Sequence, residues 1–103
     1  MSAPDRRTVT LSREAADDFE DLLVRGTKDW GAQTARTYGV LLLEAIERLG
    51  AFPDLGPEVP EIGPGIRRLV FRRHIAIYAA GEQSLTVLRI IHQKQDVRRA
   101  VLP

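Results

Sequence analysis

The sequence predicts an α+β fold in which a helical hairpin packs on a small antiparallel sheet, in the order β-α-α-β-β-β. Two stretches of helical periodicity meet at a single glycine, Gly31. A run dense in proline and glycine follows them. Three β-rich segments then complete the chain. Its 103 residues, 44% of them apolar, suit one domain over residues 1–103 with one modest core.

Thr8 to Leu11 reads as a short strand with Val9 and Leu11 on one face. Ser12 stands at an N-cap position, its hydroxyl available to an orphan backbone N–H. Ala15, Phe19, Leu22, Leu23, Gly26 and Trp30 then recur at helical spacing, which predicts a helix with Trp30 in the core at the hairpin tip. Glu14, Asp17 and Asp18 near its start and Arg25 and Lys28 near its end complement the helix dipole. Gly31 supplies the stop.

A second helix is expected from Ala32 to Gly50, its apolar stripe built from Ala35, Tyr38, Leu41, Leu42, Ala45, Ile46 and Leu49. Val40 and Leu43 lie off that stripe, which predicts cover by a partner chain or by the chain's own loop. That loop runs from Phe52 to Gly65, where seven breakers in 14 positions exclude regular structure. Arg67–Phe71, Ile75–Ala79 and Leu85–His92 read as strands, with Gly81 to Ser84 connecting the last two. Arg72 and Arg73 make a poor tight turn, because neither favours positive φ. Leu88, Ile90 and Ile91 make the last strand apolar on both faces and hence central. Asp96 to Pro103 reads as one further helical turn or a loose tail.

Charge divides along the chain. Residues 1–65 carry 7 basic and 12 acidic side chains, and residues 66–103 carry 8 basic and 2 acidic. The basic half suits an acidic protein or nucleic-acid partner. There is no cysteine, so thiolate metal sites and disulfides are excluded. Two histidines 18 positions apart fall short of a metal site, and no cofactor is expected. No signal-peptide pattern opens the chain, and no apolar run, Val40–Leu43 included, approaches the length of a membrane span, so no membrane partner is expected. No helix carries a basic recognition face, which argues against sequence-specific DNA binding by this chain alone.

Leu11-Ser12-x-x-Ala15, Asp18, Leu22 and Thr27-Lys28-Asp29-Trp30-Gly31 resemble the opening of ParE-type toxins. The resemblance continues, in order and spacing, through Pro64-Gly65-Ile66-Arg67, Arg73-His74, Tyr78 and Leu88-Arg89-Ile90-Ile91-His92 with Asp96. It covers about residues 8 to 97. Membership of the RelE/ParE superfamily implies the same β-α-α-β-β-β architecture and a cytoplasmic toxin of a type II toxin–antitoxin system. It also implies neutralisation by a ParD-like antitoxin, whose C-terminal segment wraps the toxin in a hetero-oligomer. ParE-type members are associated with inhibition of DNA gyrase by binding, whereas RelE-type members cut messenger RNA on the ribosome.

On the gyrase reading no residue is catalytic. Arg67, Arg73, His74, Arg89, His92, Arg98 and Arg99 are the candidates for target contact, and Val40, Leu43, Arg68 and Arg72 those for antitoxin contact. The alternative is a ribosome-dependent endonuclease using His92, Arg89 and Arg67, since RNA cleavage needs an acid, a base and a cation at the phosphate. The single C-terminal lysine, Lys94, and the lack of a tyrosine near the C-terminus tell against it. A structural role, with His92 bonded to Asp96 and His74 in an open turn, competes with both. A further alternative is a non-toxic member that binds only antitoxin.

Overall fold

A computed structural model describes residues 6–102. Strand β1 (Thr8–Leu11) leads through Ser12 into helix α1 (Arg13–Trp30), which turns at Gly31 into helix α2 (Ala32–Arg48). A loop then reaches strands β2 (Ile66–Phe71), β3 (His74–Ala80) and β4 (Ser84–His92), and a short helix α3 (Val97–Val101) ends the described chain. The Ser12 hydroxyl accepts the Ala15 N–H at 3.0 Å and donates to the Leu88 carbonyl at 2.8 Å. One side chain thus caps α1 and fastens it to β4. Gly31 has φ 93°, a backbone region that a Cβ would strain.

The sheet order is β1-β4-β3-β2. Its three C-terminal strands are antiparallel, as expected, but β1 joins β4 in parallel, pairing Thr8 with Ser84 through Leu11 with Val87. Alternating hydrophobicity marks a strand without marking its direction, so the mixed character of the sheet was not visible in the sequence. A bulge in β4 leaves Leu88 as an extra residue between Val87, opposite Tyr78, and Arg89, opposite Ile77.

Ala15, Tyr38, Leu42, Ile46 and Leu49 from the helices pack against Ala76, Tyr78, Leu85, Val87 and Ile90 on one face of the sheet. On the other face Val97, Ala100 and Val101 of α3 cover Ile75, Ile77 and Ile91. That second cover explains why β4 is apolar on both sides. Among the described residues no helix is long and apolar enough to cross a membrane.

Three local expectations need correction. Trp30 is not core: it is 38% exposed, and it sits at a corner where the Arg73 guanidinium lies 5.1 Å from its ring and Tyr38 packs 5.9 Å away. The tight turn between β2 and β3 does form, because Phe71 pairs with His74 and Arg72 adopts φ 53°. Arg72 stacks on Phe71 at 5.2 Å, and this cation–π contact offsets part of the strain. His92 does not bond Asp96. Asp96 instead caps α3 by accepting the Arg98 N–H at 3.0 Å, because the turn after β4 makes it a helix N-cap.

Candidate functional site

Where the arginines go decides what the basic half can do. Arg89 is held by Asp18, its Nε donating at 2.7 Å and its Nη2 at 3.1 Å, while Nη1 donates to the Ala100 carbonyl at 2.5 Å. The same carboxylate accepts the Ile90 N–H at 2.9 Å. Beyond Leu11 the edge of β4 has no β1 partner, and Asp18 supplies the acceptor a strand would have offered. The bonded carboxylate pushes the Arg89 pKa up. Arg89 therefore ties α1, the β4 bulge and α3 together.

Arg67 is likewise committed. It donates to the Gly56 carbonyl at 2.7 Å and approaches Asp54 at 3.5 Å and Glu58 at 4.0 Å. The Tyr78 hydroxyl, fully buried, completes this anchor by accepting the Gly56 N–H at 3.0 Å and donating to the Pro53 carbonyl at 2.7 Å. The loop thus has a fixed path, with Val59 turned into the core and Phe52 and Leu55 outside.

His74 and His92 do come together. They are paired across β3 and β4 with ring centroids 5.4 Å apart. The His74 Nδ1 lies 2.7 Å from the Tyr38 hydroxyl, which accepts the Arg73 N–H at 3.3 Å. Burial, with His92 and Arg73 adding repulsion, lowers the His74 pKa to about 4. The His92 Nδ1 accepts the Lys94 N–H at 3.1 Å, and its own N–H donates to Gln95 at 2.8 Å. Both rings line an open groove of about 500 Å³ beside α1, shared with Asp21, Arg25 and Lys94.

The remaining candidates lie on three separate surfaces. Arg68 and Arg72 are exposed along the outer strand β2 and its turn, and Arg98 and Arg99 are exposed on α3. Val40, 50% exposed, and Leu43, 37% exposed, line an apolar groove of about 290 Å³ between α1 and α2 with Phe19, Leu23 and Gly39. No loop residue reaches this groove, so the cover predicted for Val40 and Leu43 does not come from the chain's own loop. Among the described residues no cluster of three or more His, Cys, Asp or Glu is placed to hold a metal.

Two residues central to this arrangement were missed in the sequence. Asp18 reads there as a partner of the helix dipole and Tyr38 as one more apolar-stripe position. The available signal for Tyr38 was its hydroxyl, which requires a partner wherever the ring is buried.

Comparison with known proteins bears on the family and the fold. Residues 9–97 match the family model described as ParE toxin of type II toxin–antitoxin system, parDE. Toxin ParE1 of Mycobacterium tuberculosis is 39% identical over 90 residues, covering 86% of this chain and 92% of the relative. Toxin ParE1 of Caulobacter vibrioides is 28% identical over 88 residues, covering 85% and 91%. A solved structure described as a chromosomal ParDE TA system from P. aeruginosa superposes with TM-score 0.75 at 20% identity, covering 85% of this chain and 97% of that one. It supports the fold. A helical hairpin on a four-stranded sheet, matched over nearly its whole length, places this chain in the ParE family, as the toxin component of a type II toxin–antitoxin system.

Proposed function

We propose that this toxin inhibits DNA gyrase by docking on it, without catalysing a reaction. In the cytoplasm a ParD-like antitoxin neutralises it within a toxin–antitoxin hetero-oligomer. The observation that carries docking over chemistry is the placement of Arg67, Arg89 and His92. Arg67 pairs with Tyr78 and His92 with His74, four positions apart on β3, which is about 13 Å of strand. Both arginines are engaged in holding the fold. Arg73, Arg98 and Arg99 carry no ion pair among the described residues and suit an acidic protein surface or DNA held by gyrase.

The groove containing Val40 and Leu43 is the antitoxin seat in this reading, since an amphipathic segment can lay its apolar face there. Arg68 and Arg72 flank the outer edge of the sheet, a second place for an acidic antitoxin segment.

The endonuclease reading draws on one feature, the meeting of His74 and His92 in an open groove. General acid–base catalysis works best with a pKa near the operating pH. His74, lowered to about 4, is a weak base and is unprotonated as an acid at neutral pH. A purified gyrase supercoiling assay, run beside an in vitro translation reaction, separates the two. Docking on gyrase gives inhibited supercoiling and normal translation. Cleaved transcripts with intact supercoiling would establish the nuclease, and normal growth on expression would leave an antitoxin-binding protein only.

A further inference from the structure

The groove lined by His74 and His92 continues into a neighbouring pocket of about 200 Å³ that adds Arg73, Asp29 and Trp30. Its larger part falls within the roughly 300–1,000 Å³ of small-ligand clefts. Arg25 from α1, Arg73 from the β2–β3 turn and Lys94 after β4 face it without an ion-pair partner among the described residues. Asp18 is held by Arg89, so Asp21 and Asp29 are the carboxylates left to balance them.

The hydrogen bonds also fix the tautomer of His92. His92 Nδ1 accepts from the Lys94 N–H, and His74 Nδ1 faces the Tyr38 hydroxyl, whose oxygen already accepts the Arg73 N–H. The neutral His92 ring therefore carries its proton on Nε2, while the Tyr38 hydroxyl, which also reaches the Phe71 carbonyl at 3.3 Å, pairs with either His74 tautomer. The His92 imidazole donor, the Arg25 and Arg73 guanidinium forks and the Lys94 ammonium thus line the groove and its continuation.

We propose that this groove is a binding site for a phosphate group, taken up by Arg25, Arg73 and Lys94 with the His92 imidazole as a further donor. Guanidinium forks match the oxygens of phosphate, and a dianion uses more of these donors than a carboxylate can. The proposal is independent of gyrase and concerns the toxin alone. The groups facing His74 are Asp18, Asp21, Arg25 and Asp29 of α1, Tyr38 of α2, Arg73 before β3, Arg89 and His92 of β4, and Lys94 beyond it. His92 and Arg73 are among the causes that hold its pKa down, and a bound anion would relieve their repulsion. Binding is therefore accompanied by a rise in the His74 pKa.

The test follows the imidazole proton resonances of the full chain by NMR at neutral pH and constant ionic strength. Inorganic phosphate is added in exchange for chloride, with acetate and a 5′-mononucleotide as parallel arms. The expected result is a saturable shift of both histidines with phosphate and with the mononucleotide, and none with acetate. Tighter binding of the mononucleotide would extend the site to the base; equal binding would confine it to the phosphate. Sulfate, whose charge is constant across the titration, should raise the His74 midpoint from about 4. Arg25→Gln/Lys94→Gln, both exposed positions, should weaken phosphate about tenfold while the circular dichroism spectrum is unchanged. Linear shifts shared by chloride, equal shifts with acetate, or a double variant that binds as before would each overturn the proposal.

Discussion

Asp18 accepts three hydrogen bonds with one carboxylate: two pair it with Arg89, and the third, from the Ile90 N–H, closes the open edge of β4. Removing the carboxylate leaves the partly buried Arg89 guanidinium with the Ala100 carbonyl as its one remaining acceptor among the described residues, and the Ile90 N–H with none. Asp18→Ala is expected to cost about 2–3 kcal/mol, read as a lower denaturant midpoint with an unchanged slope, and Asp18→Asn distinctly less. His74 gives a second expectation at this scale. Its folded pKa of about 4 lies below the usual 6.5, so between those values the unfolded chain binds more protons. The resulting stability is complete above about pH 6.5 and is lost as pH falls toward 4. With solvent screening the loss is about 1–2 kcal/mol, and His74→Gln should flatten that part of the pH–stability curve relative to the parent. Neither role was legible in the sequence. Asp18 and Arg89 are 71 positions apart, and local patterns say nothing about which distant charge a carboxylate meets.

At the scale of elements, periodicity gave nearly the right helices, because α1 and α2 present apolar stripes to one sheet and break at a glycine that adopts φ 93°. The loop was legible as a loop but its anchoring was not, since that depends on Tyr78 reaching back from β3. A Cβ at Gly56 would lie 2.0 Å from the Arg68 carbonyl oxygen and 3.0 Å from the Tyr78 hydroxyl, and the backbone carbonyl has little room to yield. Gly56→Ala is expected to destabilise by about 2–4 kcal/mol. Tyr78→Phe keeps the packing and strands the Gly56 N–H, for about 1–3 kcal/mol. Both are checked by thermal unfolding, and limited proteolysis should cut first between Phe52 and Gly65 in Tyr78→Phe. The β2–β3 turn shows the opposite case, where a rule about turn residues gave way to Arg72 stacking on Phe71.

Across the whole molecule, the surfaces offered to other molecules lie on different parts of it. The apolar groove opens between the helices, and cations without an ion pair among the described residues sit at the β2–β3 turn, the end of β4 and α3. Val40→Asp places a charge on the groove without touching the core. It is expected to change stability by no more than about 0.5 kcal/mol and to weaken antitoxin binding at least about tenfold, measured by calorimetry, while gyrase inhibition persists. The off-stripe position of Val40 and Leu43 was readable in the sequence. The depth of the groove was not, because it depends on how closely Gly39 lets α2 approach Phe19 and Leu23. Docking without chemistry is most directly tested by the stoichiometry of gyrase inactivation. Toxin added stepwise to a fixed amount of gyrase should reduce supercoiling in proportion to the toxin bound, and antitoxin should restore it. Loss of activity at toxin far below one equivalent, persisting after antitoxin is added, would contradict the account.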